Sequence, residues 1–147
     1  MALKIMNKNI IYLIFFLTVS CEDDCSCREV REKIDIPINV LEDYKSAPND
    51  YCCILRLAMK KDKESIRKIS LLDFSDGFIY EHGNTLLELI HYVGEDNYIS
   101  AIKNISKKDK QKIEIYLKAG IDFSKDEKFK DKNVSEIYFN LGKFLNE

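Results

Sequence analysis

A chain of 147 residues has room for one small domain with a modest hydrophobic core. Apolar residues make up 46% of it and charged residues 33%, a balance typical of a folded globular protein rather than a disordered one. The formal net charge of -2 argues against nucleic acid as the main partner.

The chain begins with the pattern of an export signal. Lys4 and Lys8 supply a positive start, and the apolar run IIYLIFFLTV follows over residues 10–19. A transmembrane helix needs about 20 apolar residues, so the run is too short to span a bilayer. We therefore expect residues 1–20 to be a signal peptide that is removed on export.

The end of this signal, Leu17-Thr18-Val19-Ser20-Cys21, resembles a bacterial lipobox, although threonine stands where the family usually has leucine. The resemblance implies that Cys21 is acylated, for example with palmitate, and becomes the mature N-terminus. It also implies a periplasmic lipoprotein of a Gram-negative bacterium, and Glu22 favours the outer over the inner membrane. An ordinary secretory signal or, less plausibly, a retained anchor are the alternatives.

All five cysteines lie in the first 53 residues. If Cys21 carries lipid, an even number remains, which suits disulfides in an exported chain. Sequence alone cannot choose among three connectivities, and free or buried thiols are a second interpretation. A zinc site is the least favoured, because C-x-C and C-C are not the usual C-x-x-C spacing. The candidate disulfide residues are Cys25, Cys27, Cys52 and Cys53.

Residues 21–48 are expected to be a tether and an extended approach to the domain. After the acidic Glu22-Asp23-Asp24, alternating apolar residues surround Pro37, which suits a short edge strand or an extended wrap over the domain. These alternating residues are Ile34, Ile36, Ile38 and Val40.

The sequence pattern of residues 82–106 predicts a helical hairpin. Gly83-Asn84 is a turn signal, and Thr85 with Glu88 has the spacing of a capping box before a helically spaced apolar run. Gly94 can end this helix, and Asp96 or Asn97 can cap the next. The apolar residues of the two helices are Leu86, Leu87, Leu89, Ile90, Val93, Tyr98, Ile99, Ala101, Ile102 and Ile105.

This hairpin resembles an ankyrin repeat. The matching positions are Gly83, Thr85, Leu87, Leu89 and Gly94, while Leu86, Glu88 and Ile90 depart from the family's proline, histidine and alanine. Similar patterns recur over residues 54–66 and 112–123, and residues 134–145 have the apolar face of an end cap. The resemblance implies an all-α domain of degenerate ankyrin-like repeats with projecting loops over residues 49–147.

No catalytic set is visible in the sequence. Motifs of the G-x-S-x-G, H-E-x-x-H or phosphate-loop type are missing, and the only histidines are His82 and His91. We expect no enzyme, no catalytic residues, no metal and no cofactor. A cysteine-dependent envelope enzyme is the least favoured of three functional hypotheses.

Two exposed rims are the candidate partner-binding surface. Residues 73–82 occupy the place of a projecting loop in which rings could supply desolvated contact and carboxylates orientation. The turn between the paired helices is the second rim. The expected contact residues are Asp76, Phe78, Tyr80, Glu81, His82, Tyr92, Glu95 and Asp96. For Phe78, as for Phe74 and Ile79, packing back onto the core is the alternative.

In its features as a whole the chain resembles the lipid-anchored periplasmic immunity proteins, particularly the ankyrin-like ones that accompany phospholipase effectors of type VI secretion. The resemblance implies a stoichiometric inhibitor of an antibacterial toxin, a lipase first of all, with no role in nucleic-acid binding. The alternative is a scaffolding envelope lipoprotein that uses the repeat surface for protein–protein interaction. The sequence leaves the oligomeric state open.

Overall fold

The computed structural model describes residues 27–43 and 48–147, and this part of the chain is helical with no strand. The all-α prediction is thereby confirmed. The predicted signal peptide, the acylated Cys21 and Cys25 lie outside the described residues. The helices are α1 (Cys27–Arg31), α2 (Ile38–Asp43), α3 (Pro48–Met59), α4 (Lys63–Ser70), α5 (Ile79–Val93), α6 (Glu95–Ile102), α7 (Lys107–Asp122), α8 (Val134–Ile137) and α9 (Phe139–Asn146), with a short 3₁₀ turn (Asp76–Phe78) before α5.

The most extensive helix–helix packing joins α5 and α7, which are not consecutive in the sequence. Gly83 of α5 and Gly120 of α7 lie at their crossing, and an ideal Cβ on Gly120 would stand only 2.7 Å from the backbone nitrogen of Asn84. Two helix backbones can approach so closely only where both residues lack a side chain. Gly83 is therefore a packing residue.

The prediction of a turn at Gly83-Asn84, followed by a Thr85–Glu88 capping box, is wrong. The helix begins at Ile79, so these residues lie within α5. The Thr85 hydroxyl donates to the Glu81 carbonyl oxygen at 3.3 Å, one turn earlier in the same helix. The end of the helix was predicted correctly, because Gly94 follows Val93 with a φ of 88°.

A helical hairpin of α3 and α4 packs beside this centre, and α4 also packs on α6. Buried hydroxyl groups join the layers. Ser70 donates to the Ile66 carbonyl oxygen at 2.7 Å and lies 2.7 Å from the Tyr98 hydroxyl, which can donate to it in turn. The Tyr138 hydroxyl of the α8–α9 junction donates to the Leu87 carbonyl oxygen at 3.1 Å. Helices from distant parts of the sequence are thus tied by satisfied polar groups.

The strand predicted around Pro37 is absent from this part of the structure. Ile34 and Ile36 are buried beside the core, but α2 begins at Ile38, which is 63% exposed, while Val40 is fully buried. Pro37 fixes a backbone φ that suits the entry to a helix. Residues 35–37 therefore form a short connection without regular secondary structure between α1 and α2.

The C-terminal helices close the far end of the domain. Asn133 and Glu136 form a capping box at the start of α8, and Leu141 and Leu145 of α9 are buried against the core. Residues 134–145 were predicted to cover the last apolar face, and they lie there as two short helices. Among the described residues, no helix combines the length and the apolar character needed to cross a membrane.

Candidate functional site

Among the described residues, a wide surface depression lies between α5, the segment after α7, and the segment before α2. We call it the acidic groove. It has a volume of about 650 Å³ and is open to solvent. Its lining contains four carboxylates against one ammonium group, together with two aromatic rings: Asp35, Pro37, Tyr80, Glu81, Asn84, Glu88, Phe123, Ser124, Lys125 and Asp126.

One face of α5 forms the floor of the acidic groove. Glu81, Asn84 and Glu88 recur at three- and four-residue spacing, so they lie on one side of the helix. The close crossing at Gly83 holds α7 against α5, and α7 ends at Asp122. The next residues, 123–126, therefore form one wall of the groove.

Glu81 is the most deeply placed carboxylate of the groove, with 7% of the residue exposed. Its Oε1 accepts hydrogen bonds from the Asn39 side-chain amide at 3.0 Å and from the Tyr80 hydroxyl at 3.1 Å. Its Oε2 is buried and has no partner. A buried carboxylate oxygen without a donor carries a desolvation penalty, so this group is only half satisfied.

Two aromatic rings also line the acidic groove. The Tyr80 and Phe123 rings lie with centroids 5.3 Å apart and planes tilted by 49°. Phe123 is 66% exposed, which is unusual for a large apolar side chain at the edge of a depression. The hydrogen bond to Glu81 and the charge of Glu81 raise the pKa of the Tyr80 phenol above its ordinary value.

A lysine from the loop after α7 pairs with two of the groove's carboxylates. The Lys128 ammonium group contacts Asp126 at 2.8 Å and Glu88 at 3.1 Å. The hydrogen bond from Lys128 lowers the pKa of the Asp126 carboxyl. Glu88 and Asp126 are thus partly neutralised, whereas neither Asp35 nor Glu81 takes part in an ion pair found in the described structure.

His82 was expected on the surface, and that prediction is wrong. The residue is fully buried in a cluster of rings, with its Nδ1 3.0 Å from the Tyr51 hydroxyl. Phe74 and Tyr116 pack on the imidazole with ring centroids at 4.3 Å and 5.1 Å. Because α5 already includes residue 82, the side chain points inward between α3 and α7 and cannot touch a partner.

Burial lowers the pKa of His82 from 6.5 to about 3, and the backbone of Ile69 opposes only part of this shift. The unfolded chain therefore binds one more proton than the native chain between these two values. Above pH 6.5 His82 is neutral in both states and leaves the free energy of unfolding undiminished. As the pH falls below 6.5 the free energy of unfolding decreases, with a limiting slope of about 1.4 kcal/mol per pH unit.

We predict that His82→Gln flattens the loss of stability between pH 6.5 and 4.5, a range above the pKa values of most carboxyl groups. Urea unfolding across this range measures the slope. His91→Gln is the matched control, since His91 is exposed on the same helix. Equal slopes in wild type and His82→Gln would contradict the assignment of a buried, neutral imidazole.

The other predicted contact residues are dispersed. Tyr80 and Glu81 line the acidic groove, although Glu81 was expected to be exposed and is buried. Asp76 is exposed and Phe78 half-buried at the 3₁₀ turn. The second rim, Tyr92 and its neighbours, lies about 18 Å away along α5, at 1.5 Å per residue over twelve residues. The two rims do not form one surface patch.

Within the second rim, Glu95 has a structural role. Its Oε1 accepts a hydrogen bond from the Leu141 backbone amide at 2.6 Å, so the side chain caps α9. It was expected to be an exposed contact residue and is instead half-buried. Tyr92 is 45% exposed and Asp96 is exposed, as the sequence predicted for both.

A disulfide joins Cys27 of α1 to Cys52 of α3, with the two Cα atoms 5.1 Å apart. It fixes the first helix of the described domain to the core, in which Cys52 is fully buried. Cys53 is disulfide-bonded as well. Neither Cys27, Cys52 nor Cys53 is therefore present as the thiol that a cysteine nucleophile requires.

Sequence reasoning missed most of the groove. Asp35, Phe123 and Asp126 come from three separate stretches that only the fold brings together. Glu88 was assigned to a capping box, and this hid the polar stripe that Glu81, Asn84 and Glu88 form on α5. Continuing the helix back to Ile79 would have revealed that stripe.

Comparisons with protein-family models, with curated proteins and with solved structures gave no match. Within residues 27–43 and 48–147, no three histidine, cysteine, aspartate or glutamate side chains are placed to hold a metal ion. The described domain is thus a disulfide-bonded helical protein with one acidic, aromatic-edged groove.

Proposed function

We propose that this chain is a membrane-anchored periplasmic immunity protein that binds an antibacterial toxin one to one and blocks it. The toxin class that fits the proposal first is a phospholipase effector of type VI secretion. The lipobox-like N-terminus supports the location, and the acidic groove supports the binding role. The anchor would be the lipid on Cys21.

The single observation that carries the binding role is the acidic groove with its exposed Phe123 in tilted contact with Tyr80. Interface hot spots combine rigid aromatic contact with charged groups that orient the partner. An exposed ring beside a half-satisfied carboxylate is costly in an isolated domain, and a partner that covers both would offset this cost.

We also retain the ankyrin-like interpretation as part of the proposal, in a degenerate form. The α3–α4 hairpin lies where the upstream repeat was expected. In contrast, α5 starts six residues before Thr85 and packs mainly on α7 rather than on α6. This packing departs from the regular stacking of consecutive hairpins in ankyrin repeats.

The test is protection of a host cell. The product of the adjacent gene is directed to the periplasm with and without this full chain, and survival is scored. Specific rescue supports the immunity role. No rescue, together with several constitutive envelope partners recovered on the chain, would replace it with the scaffolding alternative.

We predict that Phe123→Ala reduces the affinity for the toxin at least tenfold, because truncating an aromatic hot spot costs about 2 kcal/mol or more. A binding titration of the purified pair measures the dissociation constant. Phe139→Ala is the matched control, since Phe139 is also an exposed phenylalanine, at 72%, and lies outside the groove lining. Equal affinities for both variants would place the binding surface elsewhere.

A further inference from the structure

We propose that the acidic groove receives an arginine side chain of the partner protein, with Glu81 accepting from the guanidinium and Phe123 stacking on it. This inference rests on the proposed function, because it names the chemistry of the partner at the same site. It predicts a toxin with an arginine in the centre of the surface that the chain covers.

The charge of the groove is the first reason. Four carboxylates line it against the single ammonium group of Lys125, and Lys128 bridges only two of them, Glu88 and Asp126. The remaining charge is negative and is concentrated at Asp35 and Glu81. A cation is therefore the complementary occupant.

The unsatisfied atom of Glu81 is the second and independent reason. Glu81 is more than nine-tenths buried. Its Oε1 already accepts hydrogen bonds from Asn39 and Tyr80, whereas its Oε2 is buried and has no donor. A guanidinium offers two parallel N–H donors in a fixed fork and can serve both oxygens of one carboxylate.

The aromatic pair distinguishes arginine from lysine. The planar guanidinium stacks on rings and is more weakly hydrated than an ammonium group. Phe123 is exposed in the groove that Glu81 also lines, so its ring is accessible for such stacking. A lysine ammonium would use the carboxylate but not the stacking surface to the same extent.

A divalent metal ion is a poorer occupant than an organic cation. The acids of the groove are spread along its length, and the described structure places no three of them closely enough to coordinate an ion. An extended cation on a long side chain can reach between them.

The experiment uses the full chain, purified in mild detergent, and three blocked tripeptides, acetyl-Gly-X-Gly-amide, in which X is arginine, lysine or citrulline. Binding is followed by backbone amide shifts in a two-dimensional proton–nitrogen spectrum. We expect saturable shifts at residues 81–88 and 123–126 with the arginine peptide. The citrulline peptide, which has the same shape without charge, should bind at least tenfold more weakly, and the lysine peptide severalfold more weakly.

Glu81→Gln should weaken arginine binding at least tenfold, and Phe123→Ala severalfold, whereas Asp96→Asn and Phe139→Ala should leave it unchanged. If Glu81→Gln does not fold, Asp35→Asn provides a second charge variant in the groove. Equal binding of arginine and citrulline peptides, or shifts confined to other residues, would overturn the proposal. The outcome is separate from that of the toxin test, since the groove can bind arginine even if the adjacent gene encodes no partner.

Discussion

Gly83→Ala should lower the free energy of unfolding by about 3 kcal/mol or more. This is the largest effect that we expect from adding one methyl group to this chain. The added Cβ would overlap the backbone of α7 at Tyr116 and Gly120, and a backbone cannot turn aside as a flexible side chain can. Alanine has a helix propensity about 1 kcal/mol better than glycine, which is too little to offset the clash.

Urea unfolding of Gly83→Ala and Gly120→Ala measures this effect. Gly77→Ala is the matched control, because a Cβ there would meet nothing within 4 Å. The control should be neutral or slightly stabilising. Wild-type stability in Gly83→Ala would contradict the close α5–α7 crossing on which the floor of the groove depends.

Removing the Cys27–Cys52 disulfide should have the second large effect. The two residues are 25 apart in sequence. A lone disulfide that closes a loop of this length constrains the unfolded chain by about 3.5 kcal/mol, and the loss here is smaller because the disulfide at Cys53 stays in place in the variant. We therefore expect the double variant Cys27→Ala/Cys52→Ala to unfold at a markedly lower urea concentration.

The double alanine variant avoids leaving one reactive thiol. The control is wild type in the presence of a thiol reductant, which should approach the stability of the variant or fall below it, since reduction also opens the bond at Cys53. An unchanged unfolding midpoint in the variant would contradict a stabilising role of the Cys27–Cys52 bond.

Local patterns predicted the helices more successfully than the site. Periodic apolar residues identified α6 and α7, and Gly94 identified the end of α5, because each of these signals acts within a few residues. The start of α5 was missed because Gly83-Asn84 looks like a turn. A glycine at position 83 is favourable inside the helix only because the backbone of α7 packs directly against it.

The errors at the candidate site have the same origin. Placing residues 73–82 on a projecting loop led to an exposed His82, whereas the helix that begins at Ile79 turns His82 into the core and Tyr80 toward the groove. Phe123 was assigned only to the end of a repeat. Its contact with Tyr80 spans 43 residues of sequence and depends on the α5–α7 crossing, which no local pattern encodes.

The central claim is that the chain binds an antibacterial toxin through the acidic groove. The most direct measurement is the dissociation constant and stoichiometry of the full chain with the product of the adjacent gene, determined for wild type, Phe123→Ala and Phe139→Ala. We predict tight one-to-one binding that only Phe123→Ala weakens. No binding by wild type, or equal binding by all three proteins, would contradict the account.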